Sequence, residues 1–210
     1  MVRWAGINPN NGKNQFYNID NTITESYSAG QGVLLKGKSP LVKFFGAFGT
    51  NISYKGIDLG IQFYYSGGNY IMNYQYQTNA SDGENINVEQ LTDAFDYWKK
   101  VGDKVSFANL NDPTQNVTFD TDKYLEKGDY ISLRDLTLGY TLKSSIANKI
   151  KMKGLRLYVQ GTNLWIGTKF RGLPEIGLAS SEQATPTPGL YNLYGYPQIR
   201  AVTFGVDVKF

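Results

Sequence analysis

A chain of 210 residues with 21 Lys and Arg against 18 Asp and Glu has a net charge of +3, too small and too dispersed to mark a nucleic-acid binder. It holds no Cys and no His, which excludes disulfides and thiol chemistry and removes the commonest general base and transition-metal ligand. Gly 23, Tyr 16 and Phe 11 at a mean hydropathy of -0.37 describe a β-rich chain without a transmembrane helix; strands of a membrane barrel alternate in polarity and escape that test.

The N-terminus, M-V-R-W-A-G-I-N-P, has no apolar core followed by a cleavage site, so no signal peptide is expected. Asn8-Pro9-Asn10-Asn11-Gly12 is a turn signal, after which Gln15-Phe16-Tyr17 is placed to pair back onto Arg3-Trp4-Ala5. Residues 18–37 read as loop. Residues 41–54 read as the first long strand, with Val42, Phe44, Gly46, Phe48, Thr50 and Ile52 on one face. After a tight turn at Tyr54-Lys55-Gly56, residues 57–66 return with Ile57, Leu59, Ile61, Phe63 and Tyr65 against Asp58, Gly60, Gln62, Tyr64 and Ser66, a hairpin pattern.

Residues 67–129 form a long, mostly polar link. Within it Asn87 is placed to cap a helix from Val88 to about Lys100, with Gln90 at the capping-box position. Val88, Leu91, Ala94, Phe95 and Trp98 line one helical face, and Gly102 ends it. Residues 130–142 read as a strand whose alternation slips, and a bulge at Arg134-Asp135 absorbs the slip. A short helical turn falls in 143–153, another strand at 155–165, and a second long link at 168–199. Residues 201–210 alternate strictly, with Val202, Phe204, Val206, Val208 and Phe210 on one face. Ten residues at roughly 3.3 Å each suffice for a tilted strand to cross a bilayer. Taken alone, that strand fits a membrane barrel and a soluble sandwich equally.

The links between the five long strands run short, very long, fairly short, long. In an antiparallel meander the long ones then share one end, as the outer loops of transmembrane barrels do. Lys43, Asp58, Arg156, Asp207 and Lys209 all fall on the polar faces. The expected fold is therefore all-β, an antiparallel up-and-down transmembrane β-barrel segment with long extracellular loops and one short loop helix. Five strands do not close such a barrel, and an open sheet leaves two unpaired edges, so the chain is expected to belong to something larger.

Several stretches resemble the C-terminal part of SusC/RagA-like TonB-dependent outer-membrane transporters. They are Y-I-S-L-R-D-L-T-L-G-Y-T-L (130–142), L-R-L-Y-V-Q-G-T-N-L-W (155–165) and Y-P-Q-I-R-A-V-T-F-G-V-D-V-K-F (196–210), with W-A-G-I-N-P-N-N-G-K (4–13) and G-K-S-P-L-V-K-F-F-G-A-F-G-T-N-I-S-Y-K-G-I-D-L (37–59) upstream. The resemblance implies that residues 1–210 form the last five strands of a plugged barrel of about 22 strands. It also implies import of oligosaccharides or peptides, energy from TonB through N-terminal parts absent from this sequence, and a SusD-like lipoprotein over the extracellular face. The expected location is the bacterial outer membrane, in contact with its lipids. A secreted soluble β-sandwich, serving as a glycan-binding or adhesion module, is the alternative.

No catalytic residue, cofactor or metal is expected. Asp82 and Glu84 show no hydrolytic pairing pattern, and Asp120-Thr121-Asp122 with Asn111-Asp112 read as turn residues before calcium ligands. Candidate ligand or lid contacts are the loop aromatics Tyr70, Tyr74, Tyr76, Trp98, Tyr191, Tyr194 and Tyr196, whose flat rings and polar tips suit sugars or peptides. Tyr130, Tyr140 and Trp165 read as interfacial belt residues. Phe204, Val206, Val208 and Phe210 are the candidate barrel-assembly signal.

Overall fold

The computed structural model describes residues 1–80, 89–112, 121–147, 149, 151–175 and 198–210. In chain order the strands are β1 (Arg3–Ile7), β2 (Asn14–Tyr17), β3 (Ile23–Thr24), β4 (Phe44–Tyr54), β5 (Ile57–Gly67), β6 (Tyr70–Met72), β7 (Leu125–Lys127), β8 (Tyr130–Thr141), β9 (Gly154–Thr168) and β10 (Ala201–Lys209). Two short helices, α1 (Tyr74–Asn79) and α2 (Ser144–Ala147), accompany them. The chain divides into two compact bodies.

The described part of the first body comes from residues 1–41 and 70–126. Asn8 and Gly12 close the turn that the Asn-Pro-Asn-Asn-Gly cluster announces, with Gly12 N–H donating to the Asn8 carbonyl at 2.8 Å. β1 and β2 then pair antiparallel, Trp4 opposite Phe16, and β3 adds a third strand. Asn73 caps α1 by accepting from Tyr76 N–H at 3.0 Å, as a short amide side chain does at a helix start. α1 delivers Tyr76 into a core with Met72, Ala80, Phe107 and Tyr124. Asp122 clasps the two chain segments together: its carboxylate accepts from Trp4 N–H at 2.9 Å and from Lys38 Nζ at 3.2 Å. Glu25 holds the first turn, accepting from Asn8 at 2.5 Å and Asn11 at 3.0 Å. Those amides, Asn11 foremost, keep its carboxyl below the usual range.

The α-helix expected from Val88 to about Lys100 does not form across its described residues, 89–100; a 3-10 turn at Thr92–Phe95 takes its place. Tertiary bonding wins over helical spacing here. Trp98 N–H donates to the Phe107 carbonyl and Phe107 N–H to the Asp96 carbonyl, both at 3.1 Å. The Asp103 carboxylate takes the N–H groups of Lys99 and Lys100, so the donors an α-helix needs are committed elsewhere. The loop helix lies instead at α1.

The second body is a five-stranded antiparallel sheet in the order β10-β9-β8-β5-β4. β4 and β5 meet at a two-residue turn in which Lys55 (φ 49°) and Gly56 (φ 90°) are both left-handed, the conformation that matches hairpin twist. β4 begins at Phe44, three residues later than the spacing predicts, and β9 continues to Thr168. A bulge sits at Arg134: Gln62 faces Asp135, and the next residue, Phe63, faces Leu133. In register, Phe48 pairs with Phe63, Ile61 with Leu136, Leu138 with Val159 and Phe204 with Val159. Within the five strands this face carries no charged side chain. Phe48 and Phe63 stack on it with centroids 5.2 Å apart. Because the bulge corrects the phase, Tyr130 shares the polar face with Tyr64, rings 6.0 Å apart. Its expected place in an aromatic belt is thereby corrected, while Tyr140 and Trp165 stay on the apolar face.

Candidate functional site

The polar face of the sheet carries the organised chemistry. Arg156, on β9, reaches across β8 to Asp58 on β5 with a two-pronged contact, Nε to Oδ1 at 3.0 Å and Nη2 to Oδ2 at 2.6 Å. Its remaining nitrogen, Nη1, donates to Asp207 on β10 at 3.1 Å. Paired forks of this kind fix geometry as well as charge. Gly139 lies beneath the Asp58 contact: a Cβ there would come within 2.5 Å of both carboxylate oxygens. Further along the face, Asp135 approaches Gln160 at 3.4 Å and Thr162 at 3.5 Å. These groups and the neighbouring β4 residues border a concavity of about 530 Å³ lined by Asn51, Asp58, Gln62, Asp135, Thr137 and Arg156 among others.

A second polar cluster gathers at the bulge. Arg134 ion-pairs with Glu175 at 3.3 Å, donates to Asn163 Oδ1 at 3.2 Å and to Gln198, and lies over the Tyr64 ring at 5.3 Å. A cleft of about 60 Å³ beside it touches Ser132, Asn163, Glu175 and Gln198. That is room for about two water molecules.

Of the aromatics named as ligand candidates, Tyr76 is buried, its hydroxyl donating to Asp93 at 2.8 Å. Tyr74 packs beside it against the same core. Tyr70 is half-buried on β6. The Trp98 indole donates to the Pro9 carbonyl at 2.9 Å and covers Gly12. Tyr191, Tyr194 and Tyr196 lie outside the described residues. Phe204, Val206 and Val208 are exposed along the apolar face of β10, and Phe210 follows it, also exposed. Among the described residues no group of three or more His, Cys, Asp or Glu side chains is placed to hold a metal ion.

Sequence reasoning placed Asp58, Arg156 and Asp207 on one face and did not join them. Their contact depends on strand order and stagger, which no local spacing encodes. The Arg134 cluster was missed altogether, although the slip in alternation at 134–135 marked its position.

No family model matches the chain. Curated relatives from Formosa agariphila named TonB-dependent receptor P3, P26 and P39 are 28%, 24% and 27% identical over 81%, 82% and 81% of it. The chain spans only 17%, 17% and 16% of their lengths. Among solved structures, the RagAB peptide transporter superposes with a TM-score of 0.81 at 24% identity, covering 100% of this chain and 22% of that one. The RagAB peptide importer in its open-open state gives the same score at 23% identity.

Proposed function

We propose that this chain, a SusC/RagA-like segment of the TonB-dependent receptor type, forms part of the wall of a plugged outer-membrane barrel that imports oligosaccharides or peptides. TonB supplies the energy through other parts of the protein, and a SusD-like lipoprotein covers the outer face. The chain is a transport element with no catalytic role. Phe204, Val206, Val208 and Phe210 serve as its assembly signal, and of the named aromatics the half-buried Tyr70 with Tyr191, Tyr194 and Tyr196 contact substrate or lid, whereas Tyr74 and Tyr76 are spent on the core. The observation that carries the reading is the sorting of the sheet: one face apolar and without charge, the other holding Asp58, Asp135, Arg156 and Asp207. A bilayer on one side and a watery lumen on the other account for both.

Because the chain has no Cys, single cysteines can report this sorting. In outer membranes, Thr137→Cys should react with a water-soluble maleimide, and Leu138→Cys should resist it while taking up a lipid-borne label. Protection of Leu138→Cys without uptake of the lipid-borne label, with the protein in the soluble fraction, would favour the sandwich, and equal reaction at both positions would overturn the sorting itself.

A further inference from the structure

We propose that Arg134 is a positioning residue that fastens both ends of the outer link between β9 and β10, so that one guanidinium sets where that link leaves the barrel wall. The link joins Thr168 to Ala201. Glu175 lies near its start and Gln198 near its end, and Arg134 holds both. Asn163 strengthens the junction from the sheet side: its Oδ1 accepts from Arg134, and its Nδ2 donates to the Ile199 carbonyl at 3.3 Å.

The bulge makes this possible. In a regular strand consecutive residues point to opposite faces, so without the bulge Arg134 would share the apolar face with Leu136 and Leu138. The extra residue on β8, answered on β9 by the irregular stretch between Thr162 and Trp165, lets Arg134 reach Tyr64, Asn163 and the link together. Asn163 has φ 53°, a left-handed backbone that Asn tolerates better than most residues.

Glu175 gives the contact its leverage. Its side chain is 9% exposed, and a carboxylate buried that far is costly once its cation is removed. A lysine at 134 keeps the charge and loses the fork that reaches several partners at once.

The clamp's part in transport rests on the barrel reading above, whereas its geometry stands without it. Hydrogen exchange read by mass spectrometry, on the barrel carrying this segment in detergent micelles, separates the two. In Arg134→Gln, residues 169–175 and 198–200 should both exchange about tenfold faster, as loss of charge-assisted bonds implies, with β4 and β5 unchanged. Arg134→Lys should fall between. Glu175→Arg should loosen 169–175, and the reversed pair Arg134→Glu with Glu175→Arg should restore its protection. In Arg134→Gln, loosening of one end alone or no loosening overturns the clamp, as does failure of the reversed pair to restore 169–175. Loosening spread evenly over all five strands overturns it too, since that marks a general structural role. Failure of the barrel reading shows separately, as rapid exchange along β4 and β10 in the unaltered protein.

Discussion

Gly139 and Arg156 act as a unit. The glycine leaves space over β8 so that a side chain on β9 can meet one on β5; with a larger residue the Asp58–Arg156 fork has nowhere to lie. Gly139→Leu and Arg156→Gln should therefore lower stability by similar, modest amounts, since each removes the same charged hydrogen bonds on a face open to water. Combining them should add little, because both remove the same contact; urea unfolding of the barrel in micelles measures this. Glu25 offers a pH-dependent counterpart in the first body. Its folded pKa lies below the ordinary 4.5 because the Asn11 and Asn8 amides bind the ionised form. Its contribution is therefore fully present above about pH 4.5 and fades as pH falls through the lower, folded value. The difference in thermal stability between wild type and Glu25→Gln should be largest near neutral pH and shrink toward about pH 3.

At the scale of elements, the strands of the sheet were legible and the link structure was not. Period-two alternation in β4, β5 and β10 reflects a face that must stay apolar along its whole length, so every second residue repeats the message. The slip at Arg134 was readable for the same reason. The helix expected from Val88 failed because its spacing of Leu91, Ala94, Phe95 and Trp98 is a weak local preference. Asp96, Trp98 and Asp103 instead join residues 103–107 and the Pro9 turn. The site was legible only as a face: Asp58, Arg156 and Asp207 were visibly co-facial, and their pairing awaited strand order. Ile61 and Gln62 test the facial assignment directly, since they are adjacent on β5 and point opposite ways. Ile61→Arg should cost about 2–4 kcal/mol if it lies near the bilayer midplane. Gln62→Arg, beside Asp135, should be nearly neutral. Folded yield, read by heat-modifiable mobility, should fall for the first and hold for the second.

For the molecule as a whole, the sheet's two outer strands set the strongest constraint. β4 and β10 each have one neighbour in the sheet order, so each presents a row of backbone donors and acceptors that lipid cannot satisfy. Their side chains point the same way: Phe48 is 54% exposed, Phe204 81% and Phe210 81%. An apolar face with two open edges aggregates in water and does not insert alone in a membrane. Within a larger barrel both edges are paired and the same face becomes the lipid contact. Produced by itself with an export signal, the chain should be recovered as aggregate or degraded, and the barrel that contains it should resist heat-free detergent unfolding. A monomeric, membrane-inserted form of the isolated chain would contradict this. Phe210 sharpens the test, because it lies past the end of β10 and adds nothing to that strand's ladder. If the apolar residues of β10 only face lipid, removing Phe210 should leave the folded yield of the full barrel unchanged. If they are read by the assembly machinery, that yield should drop, while purified barrel already folded without Phe210 keeps its stability. The second result is the one expected from an exposed aromatic that stands outside the strand's ladder.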